Sequence, residues 1–335
     1  MTPVFTPHDR PSIAVLLPCY NEAAAVGDVV RAFMKELPEA VVYVFDNNST
    51  DGTAEVARAA GAVVHTEHLQ GKGNVVCRMF ADIEADIYVL SDGDSTYDVS
   101  AAPQMIQRLL DRHLDMVVGA RVAETQSAYP RGHVFGNAVF NGLVSRLFGN
   151  SFKDLFSGYR VFSRRFAKTF PELSTGFEIE TQLSVHALEM KMKTLEVPTR
   201  YLERPDGSVS KLRTYRDGTI ILSSILILLR EIKPAVFYGI AAAVLAVIGL
   251  AIGSGPVVDY IETGLVPRLP RAVLASAVMI LSALSLLGGI VLESLSRSRR
   301  EMKRLAYLQQ PWMTCVPGGF SLGRPHVSTV ATLPK

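Results

Sequence analysis

Over the first 120 residues, apolar positions follow two different periods. Short runs rich in β-branched residues, at Ser12–Pro18, Val41–Phe45, Ala62–His65, Ile87–Leu90 and Met116–Val118, predict strands. Val26–Leu37 and Thr53–Ala60 predict helices, the second entered through Ser49-Thr50-Asp51-Gly52 and stopped at Gly61. Strands and helices in alternation predict an α/β domain, an open and mainly parallel sheet with helices on both faces. Ligands bind such sheets outside the carboxyl ends of the strands. Four polar clusters are expected at those ends: Tyr20-Asn21-Glu22, Asp46-Asn47-Asn48, Asp92-Gly93-Asp94 and Gly119-Ala120-Arg121.

The pattern changes late in the chain. Residues 236–252 and 272–292 carry no charged side chain, and a bilayer crossing needs about 20 such residues for a ~30 Å hydrocarbon core. Two spans joined as a hairpin are therefore expected within residues 234–292. Before them, residues 217–233 predict a helix lying at the membrane interface that turns at Pro234 into the bilayer. Arg230 and Lys233 precede the first span, and Arg297, Arg299, Arg300, Lys303 and Arg304 follow the second. Only Arg268 and Arg271 lie between them, so the positive-inside rule places both termini in the cytoplasm of a multi-pass protein of the cell membrane. The rest divides into a tail (1–11), a catalytic domain (12–216) and a basic cytoplasmic tail (293–335). Gly249 and Gly253 have the GxxxG spacing of helix dimers, which suggests homo-oligomers formed through the spans.

Composition narrows this further. The net charge of +2 implies no broad attraction to nucleic acid. A mean hydropathy of +0.22 agrees with apolar surface turned to something other than water. Cys19, Cys77 and Cys315 are odd in number and far apart, giving neither a disulfide framework nor metal-ligand spacing, and they favour a reducing compartment. The prolines and charges of the first dozen residues predict no secretory signal peptide there.

Asp92 and Asp94 flank a glycine directly after a buried strand, where two carboxylates can face one hard cation and leave room for phosphate. Asp46 closes the second strand, where an acid can accept bonds from a base or ribose; Asp51 serves instead to cap the next helix. Gly71-Lys72-Gly73-Asn74 opens a helix, an arrangement suited to anions.

These motifs, with Pro18-Cys19-Tyr20-Asn21-Glu22 ahead of them, resemble in their order glycosyltransferase family 2 with its GT-A nucleotide-diphospho-sugar fold. Gly119-Ala120-Arg121, Ser157-Gly158-Tyr159-Arg160 and Ser210-Lys211-Leu212 extend the likeness to the dolichyl- or polyprenyl-phosphate sugar synthases. The resemblance implies that Pro18, Tyr20, Glu22 and Asp46 contact the nucleoside and that Lys72 sits near the nucleotide. It implies Mg²⁺ or Mn²⁺ held by Asp92 and Asp94; Thr96 stands where those synthases often carry glutamine, which leaves a third protein ligand open. The partners implied are a nucleotide-sugar, a polyprenyl phosphate and the lipid bilayer. A lipid phosphate needs cations at the membrane surface, and the candidates are Arg121, Arg131, Arg160 and Lys211, with Ser157 as a hydroxyl donor. Lys211 lies in a segment, Arg204–Arg216, suited to closing over bound donor.

The expected reaction is attack of an acceptor phosphate oxygen on the anomeric carbon of a hexose or N-acetylhexosamine donor, a UDP-sugar by preference with GDP-mannose the alternative, with Asp94, Arg121, Arg160 and Lys211 at the reacting groups. Glu178 and Glu180 are candidates for a base or for simple helix-starting acids. A processive polysaccharide synthase is disfavoured because the sole tryptophan, Trp312, follows Pro311 and not a Q-x-x-R run. A membrane-tethered nucleotide-sugar binding module remains the non-enzymatic alternative.

Overall fold

A computed structural model describes residues 11–123, 154–171, 179–202, 229–231 and 233–311. Strand β1 (Ile13–Cys19) is followed by α1 (Val26–Glu36), β2 (Val41–Asp46), α2 (Thr53–Ala59), β3 (Val63–Thr66), α3 (Lys72–Asp82), β4 (Ile87–Leu90) and α4 (Ala102–Asp111). Then come β5 (Met116–Ala123), β6 (Arg160–Ser163), α5 (Arg164–Thr169), α6 (Ile179–Glu189) and β7 (Thr194–Tyr201). Two long helices, α7 (Pro234–Thr263) and α8 (Leu269–Gln309), complete the described residues.

The strands form one sheet of order β3-β2-β1-β4-β6-β5-β7. All pairings are parallel except those of β6, which runs antiparallel to both β4 and β5. Its central strands are buried on both faces, as the unbroken apolar runs require. Ile13, Val15 and Leu17 of β1 enter one core with α1 and α4, while Ala14 and Leu16 enter the other with α3, α5 and α6. This is the two-residue period of a strand with a helical layer on each side. The α/β class expected from the sequence is the one observed.

The register brings the ligand-facing ends of β1 and β2 level, with Cys19 opposite Asp46. Asn47 N–H then donates to the Cys19 carbonyl at 2.9 Å, and Ser91 N–H to the Leu16 carbonyl at 3.2 Å. The three loops that follow β1, β2 and β4 are thus tied together by the sheet itself.

Three features differ from the sequence expectation. Strand β5 runs to Ala123 rather than Val118, because β7 pairs with it from Met116 opposite Thr194 to Ala123 opposite Tyr201. Gly119-Ala120-Arg121 therefore lies within a strand and not beyond its end. Helix α8 continues 17 residues past Leu292, so the expected basic tail begins as a helix. Finally, Gly249 and Gly253 face Met279 and Ala275 of α8 in the same chain. Their small surface lets α8 approach closely within the hairpin.

Helices α7 and α8 pack side by side, with Ser282 Oγ donating to the Ala242 carbonyl (2.7 Å) and Ser285 Oγ to that of Tyr238 (3.2 Å). Their most apolar 18-residue windows have mean hydropathies of 2.5 and 2.2, yet only 11% and 17% of those windows is buried. Exposed apolar surface on that scale, at that length, indicates association with a membrane. The last turns of α8 then dock on the sheet domain. Lys303 Nζ lies 3.0 Å from Glu189 Oε2, Arg304 donates to the Met190 carbonyl, and buried Tyr307 donates its hydroxyl to Asp115 Oδ2 at 3.0 Å. The guanidinium groups of Arg165 and Arg304 each lie 4.8 Å from the Tyr307 ring. Of the predicted interfacial helix, only residues 229–231 and 233 are described.

Candidate active site

The loops after β1 and β2 interlock. Asn21, in the left-handed region at φ 53°, accepts from Thr50 N–H at 2.9 Å and donates its own N–H to Ser49 Oγ at 2.9 Å. Asp51 accepts from Ala23 N–H and from Thr53 N–H at 3.0 Å each, the local role expected of it. Beneath them Asn47 bridges to the next loop, donating to the carbonyls of Glu67 and Leu69 and accepting from Gly71 N–H at 2.7 Å. Gly71 has a φ of 130°, open to glycine alone, and it starts α3 with Lys72 in the first turn.

Asp46 is 6% exposed. One carboxylate oxygen accepts a 3.3 Å bond from Ser49 N–H, but the other, Oδ1, is buried without a hydrogen-bond partner. An ionisable oxygen left so in a folded interior is costly unless something else bonds it. It is the strongest local sign of a ligand site.

The Asp92-Gly93-Asp94 loop is held from two sides. A Cβ on Gly93 would lie 2.5 Å from Cys19 Sγ, and one on Gly158 would lie 2.8 Å from Asp92 Oδ2. Glycine at both positions lets β1 and the residues before β6 close on the loop. Asp94 is almost fully buried, and its Oδ1 accepts from the Thr96 hydroxyl (2.6 Å) and Thr96 N–H (3.1 Å). Thr96 thus serves as a prop for Asp94. The residue between them, Ser95, is in the left-handed region at φ 61°, as backbone at functional sites often is.

Lys72 Nζ lies 2.5 Å from both Asp92 Oδ1 and Glu180 Oε1, the latter in the first turn of α6. Burial alone would lower the Lys72 pKa, but Asp92 and Glu180 outweigh it and hold the ammonium well above its ordinary range. Burial, with Glu180 and Asp94 near, pushes the Asp92 carboxyl up despite Lys72. The Cys19 thiol is pushed well up by its burial and then by Glu22, Asp92, Asp46 and Asp94. Four carboxylates from three strand ends therefore all act on one thiol. Pro18 is half-buried beside them, and Tyr20 is 39% exposed above.

The expected acceptor residues divide. Arg121 makes a two-pronged ion pair with Asp154 (2.7 and 2.8 Å) and lies 5.5 Å from the Tyr201 ring centre. Arg160 is fully buried, giving its donors to the carbonyls of Ser157 and Leu155 and to Ser184 Oγ. Burial lowers its pKa to about 10. Ser157, also fully buried, donates its hydroxyl to the Gly119 carbonyl at 2.6 Å. The acceptor-phosphate roles expected of Arg160 and Ser157 do not match this placement, because their donors are spent inside the fold. Arg131, Lys211 and Glu178 lie outside the described residues.

Sequence reasoning missed Asp154 and Tyr97. Asp154 lies three residues before Ser157 and orients Arg121; Tyr97 accepts from Gly158 N–H at 2.8 Å, fixing the glycine that presses on Asp92. No motif marks either one.

Residues 14–170 match the family described as glycosyl transferase family 2. The chain is 32% identical over 300 residues to glycosyltransferase AglJ of Haloferax volcanii, covering 89% of this chain and 98% of that protein. The chain belongs to glycosyl transferase family 2. A second relative from the same organism, a dolichyl-phosphate hexose transferase, is 28% identical over 213 residues, 64% of this chain and 92% of its own. Among solved structures, glucosyl-3-phosphoglycerate synthase from Mycobacterium tuberculosis shares the fold at 21% identity. Its TM-score is 0.53 over 65% of this chain and 79% of that one, in a complex with Mn²⁺, UDP and glucosyl-3-phosphoglycerate. The same synthase has been solved with Mg²⁺ and UDP. As a family 2 member the chain is a glycosyltransferase, and Glu22, Asp46, Asp92 and Asp94 lie at the ends of strands β1, β2 and β4 of its sheet.

Proposed function

We propose that this chain transfers a hexose or N-acetylhexosamine from a nucleotide-sugar, UDP-linked in the first instance, to a polyprenyl phosphate at the cytoplasmic face of a membrane. The observation that carries the donor half is the partnerless, buried Oδ1 of Asp46, which lies opposite Cys19 in the sheet and acts on the same thiol as Asp92 and Asp94. Asp46 would accept from the nucleobase or ribose, with Pro18, Tyr20 and Glu22 around it. In its corner Lys72 is the cation paired with Asp92 and Glu180. Among the described residues no group of three or more His, Cys, Asp or Glu forms a ready-made cage. Two carboxylates with diphosphate oxygens completing the shell suit a hard divalent ion. Asp92 and Asp94 would hold Mg²⁺ or Mn²⁺, which neutralises charge on the departing diphosphate.

An acceptor phosphate oxygen attacks the anomeric carbon, the bond to the nucleoside diphosphate breaks, and that diphosphate leaves with the electron pair. A phosphate monoester has a second pKa near ~6, so the acceptor arrives ionised and needs no strong base. Glu180, already paired with Lys72, positions that lysine rather than removing a proton. Arg121, held flat by Asp154 and Tyr201, and Arg131 and Lys211 are assigned to the acceptor phosphate.

Support for a lipid acceptor comes from the apolar hairpin, from its docking on the catalytic domain, and from the dolichyl-phosphate hexose transferase relative. Because α8 returns to the domain after its apolar stretch, both ends of the hairpin lie on the catalytic side. The test is incubation of full-length protein in detergent with radiolabelled nucleotide-sugars, Mn²⁺ and polyprenyl phosphate. Label entering the organic phase, dependent on both metal and lipid phosphate, is the expected result. Donor binding without any lipid-linked product would favour the tethered binding module.

A further inference from the structure

The last turn of α6 and the extramembrane part of α8 enclose a cleft of about 430 Å³, on the opposite end of α6 from Glu180. Glu189, Met190 and Lys191 form one wall; Arg297, Arg300 and Arg304, three or four residues apart on one face of α8, form the other with Glu301. Its charges do not cancel. Glu189 is answered by Lys303 at 3.0 Å and Arg300 by Glu293 at 3.2 Å. Among the described residues Lys191 and Arg297 form no ion pair, and both are exposed. Lys191 also holds the left-handed conformation at φ 51°, where a helix end ordinarily takes glycine or asparagine. The turn sets a long cationic side chain at the mouth of the cleft.

The height of the cleft identifies its occupant. Arg297 and Arg300 follow Leu292, the last residue of the uncharged stretch, by about 8 and 12 Å of helix rise. The headgroup layer reaches about 5–8 Å beyond a ~30 Å hydrocarbon core, so Arg297 sits at its outer edge, from which a long side chain can reach back to lipid phosphates. Guanidinium groups suit phosphate oxygens in both charge and shape, and juxtamembrane cations attract anionic lipids.

We infer that this cleft binds the headgroup of an anionic phospholipid, clamped between the catalytic domain through Lys191 and the membrane helix through Arg297. The site is separate from the crevice of Asp46 and Asp92, and its occupant is a bystander lipid rather than a substrate. The inference rests on the reading of α7 and α8 as membrane spans.

Native mass spectrometry of the full chain in detergent, with phosphatidylglycerol, phosphatidylcholine or inorganic phosphate added, tests it. Phosphatidylglycerol is expected to be retained in preference to phosphatidylcholine. The paired substitution Lys191→Gln and Arg297→Gln should weaken that retention roughly thirtyfold, as loss of two surface cations implies, with an unchanged melting temperature. Equal retention of the two lipids, undiminished retention by the variant, or displacement of phosphatidylglycerol by millimolar phosphate would each overturn the site. Carbonate washing of membranes separates the two levels. A chain that stays in the pellet but fails the lipid comparison refutes the cleft alone, whereas a chain released by carbonate refutes the spans and the cleft together.

Discussion

At its first turn α6 sets Glu180 against Lys72, which also reaches Asp92; at its last turn, about 14 Å away by helix rise, it sets Glu189 against Lys303 of α8. Both ends pair an acid with a lysine, but their surroundings differ. Beyond Glu180 and its Lys72–Asp92 partners, acids are in surplus: Asp92, Asp94, Glu22 and Asp46 all bear on Cys19, and Asp46 keeps an oxygen with no partner. Around Glu189 and Tyr307 the groups answer one another. Asp115 accepts from Tyr307, Arg304 donates to Met190, and two guanidinium groups flank the Tyr307 ring. At one end buried acids outnumber their partners; at the other the buried groups are matched and hold two parts of the chain together, with the exposed Lys191 and Arg297 left over at the rim. A surplus of buried charge marks the functional end better than the presence of charge does.

Arg160 provides the sharpest way to break that contrast, because its motif suggests ligand contact and its burial indicates support. Arg160→Leu would leave the carbonyls of Ser157 and Leu155 without their donor and remove the cation beside Glu180. A loss of about 3–5 kcal/mol is expected, as for other broken buried polar groups, read as a large fall in melting temperature or failure to fold. A stable variant impaired only in use of lipid phosphate would restore Arg160 to the acceptor.

The docking end should show itself in acid. His186 is buried between the edges of Phe166 and Phe170 with neither ring nitrogen hydrogen-bonded, and burial, then Lys303, lowers its pKa to about 3. The unfolded chain takes up that proton near pH ~6.5, whereas the folded chain does not. Stability is therefore fully present above pH ~6.5 and declines as pH falls toward 3, by up to about 1.4 kcal/mol per pH unit. His186→Phe should flatten this part of a stability profile measured by denaturant titration. An unchanged slope would show that other groups set the acid response.

Much of the site half was legible before any coordinates. Strands β1 and β4 are apolar runs buried on both faces and β2 is nearly so, and the polar residues that follow them fall at one end because these three strands are parallel. Strand β6 was hidden for an equally physical reason: it has four residues, and its first is an arginine, which reads as surface but is buried with internal acceptors. β5 overran its apolar run because β7, paired along its whole length, supplies the ladder. Asp154 supports Arg121 across 33 residues and Tyr307 reaches Asp115 across 192, separations at which no local pattern betrays a contact. The segment after Arg304, featureless in sequence, contains the aromatic residue that fastens α8 to the domain.

The central claim, that the acid surplus near Glu180 is a donor site, is tested most directly by calorimetric binding of UDP, with Mn²⁺ present, to the wild-type chain and to Asp46→Asn. Asp46 Oδ1 has no protein partner to lose, so the variant should melt at the same temperature or higher. Its affinity for UDP should fall roughly 10- to 100-fold, the range for losing a hydrogen bond to a charged group. Unchanged UDP affinity in a well-folded Asp46→Asn would contradict the account.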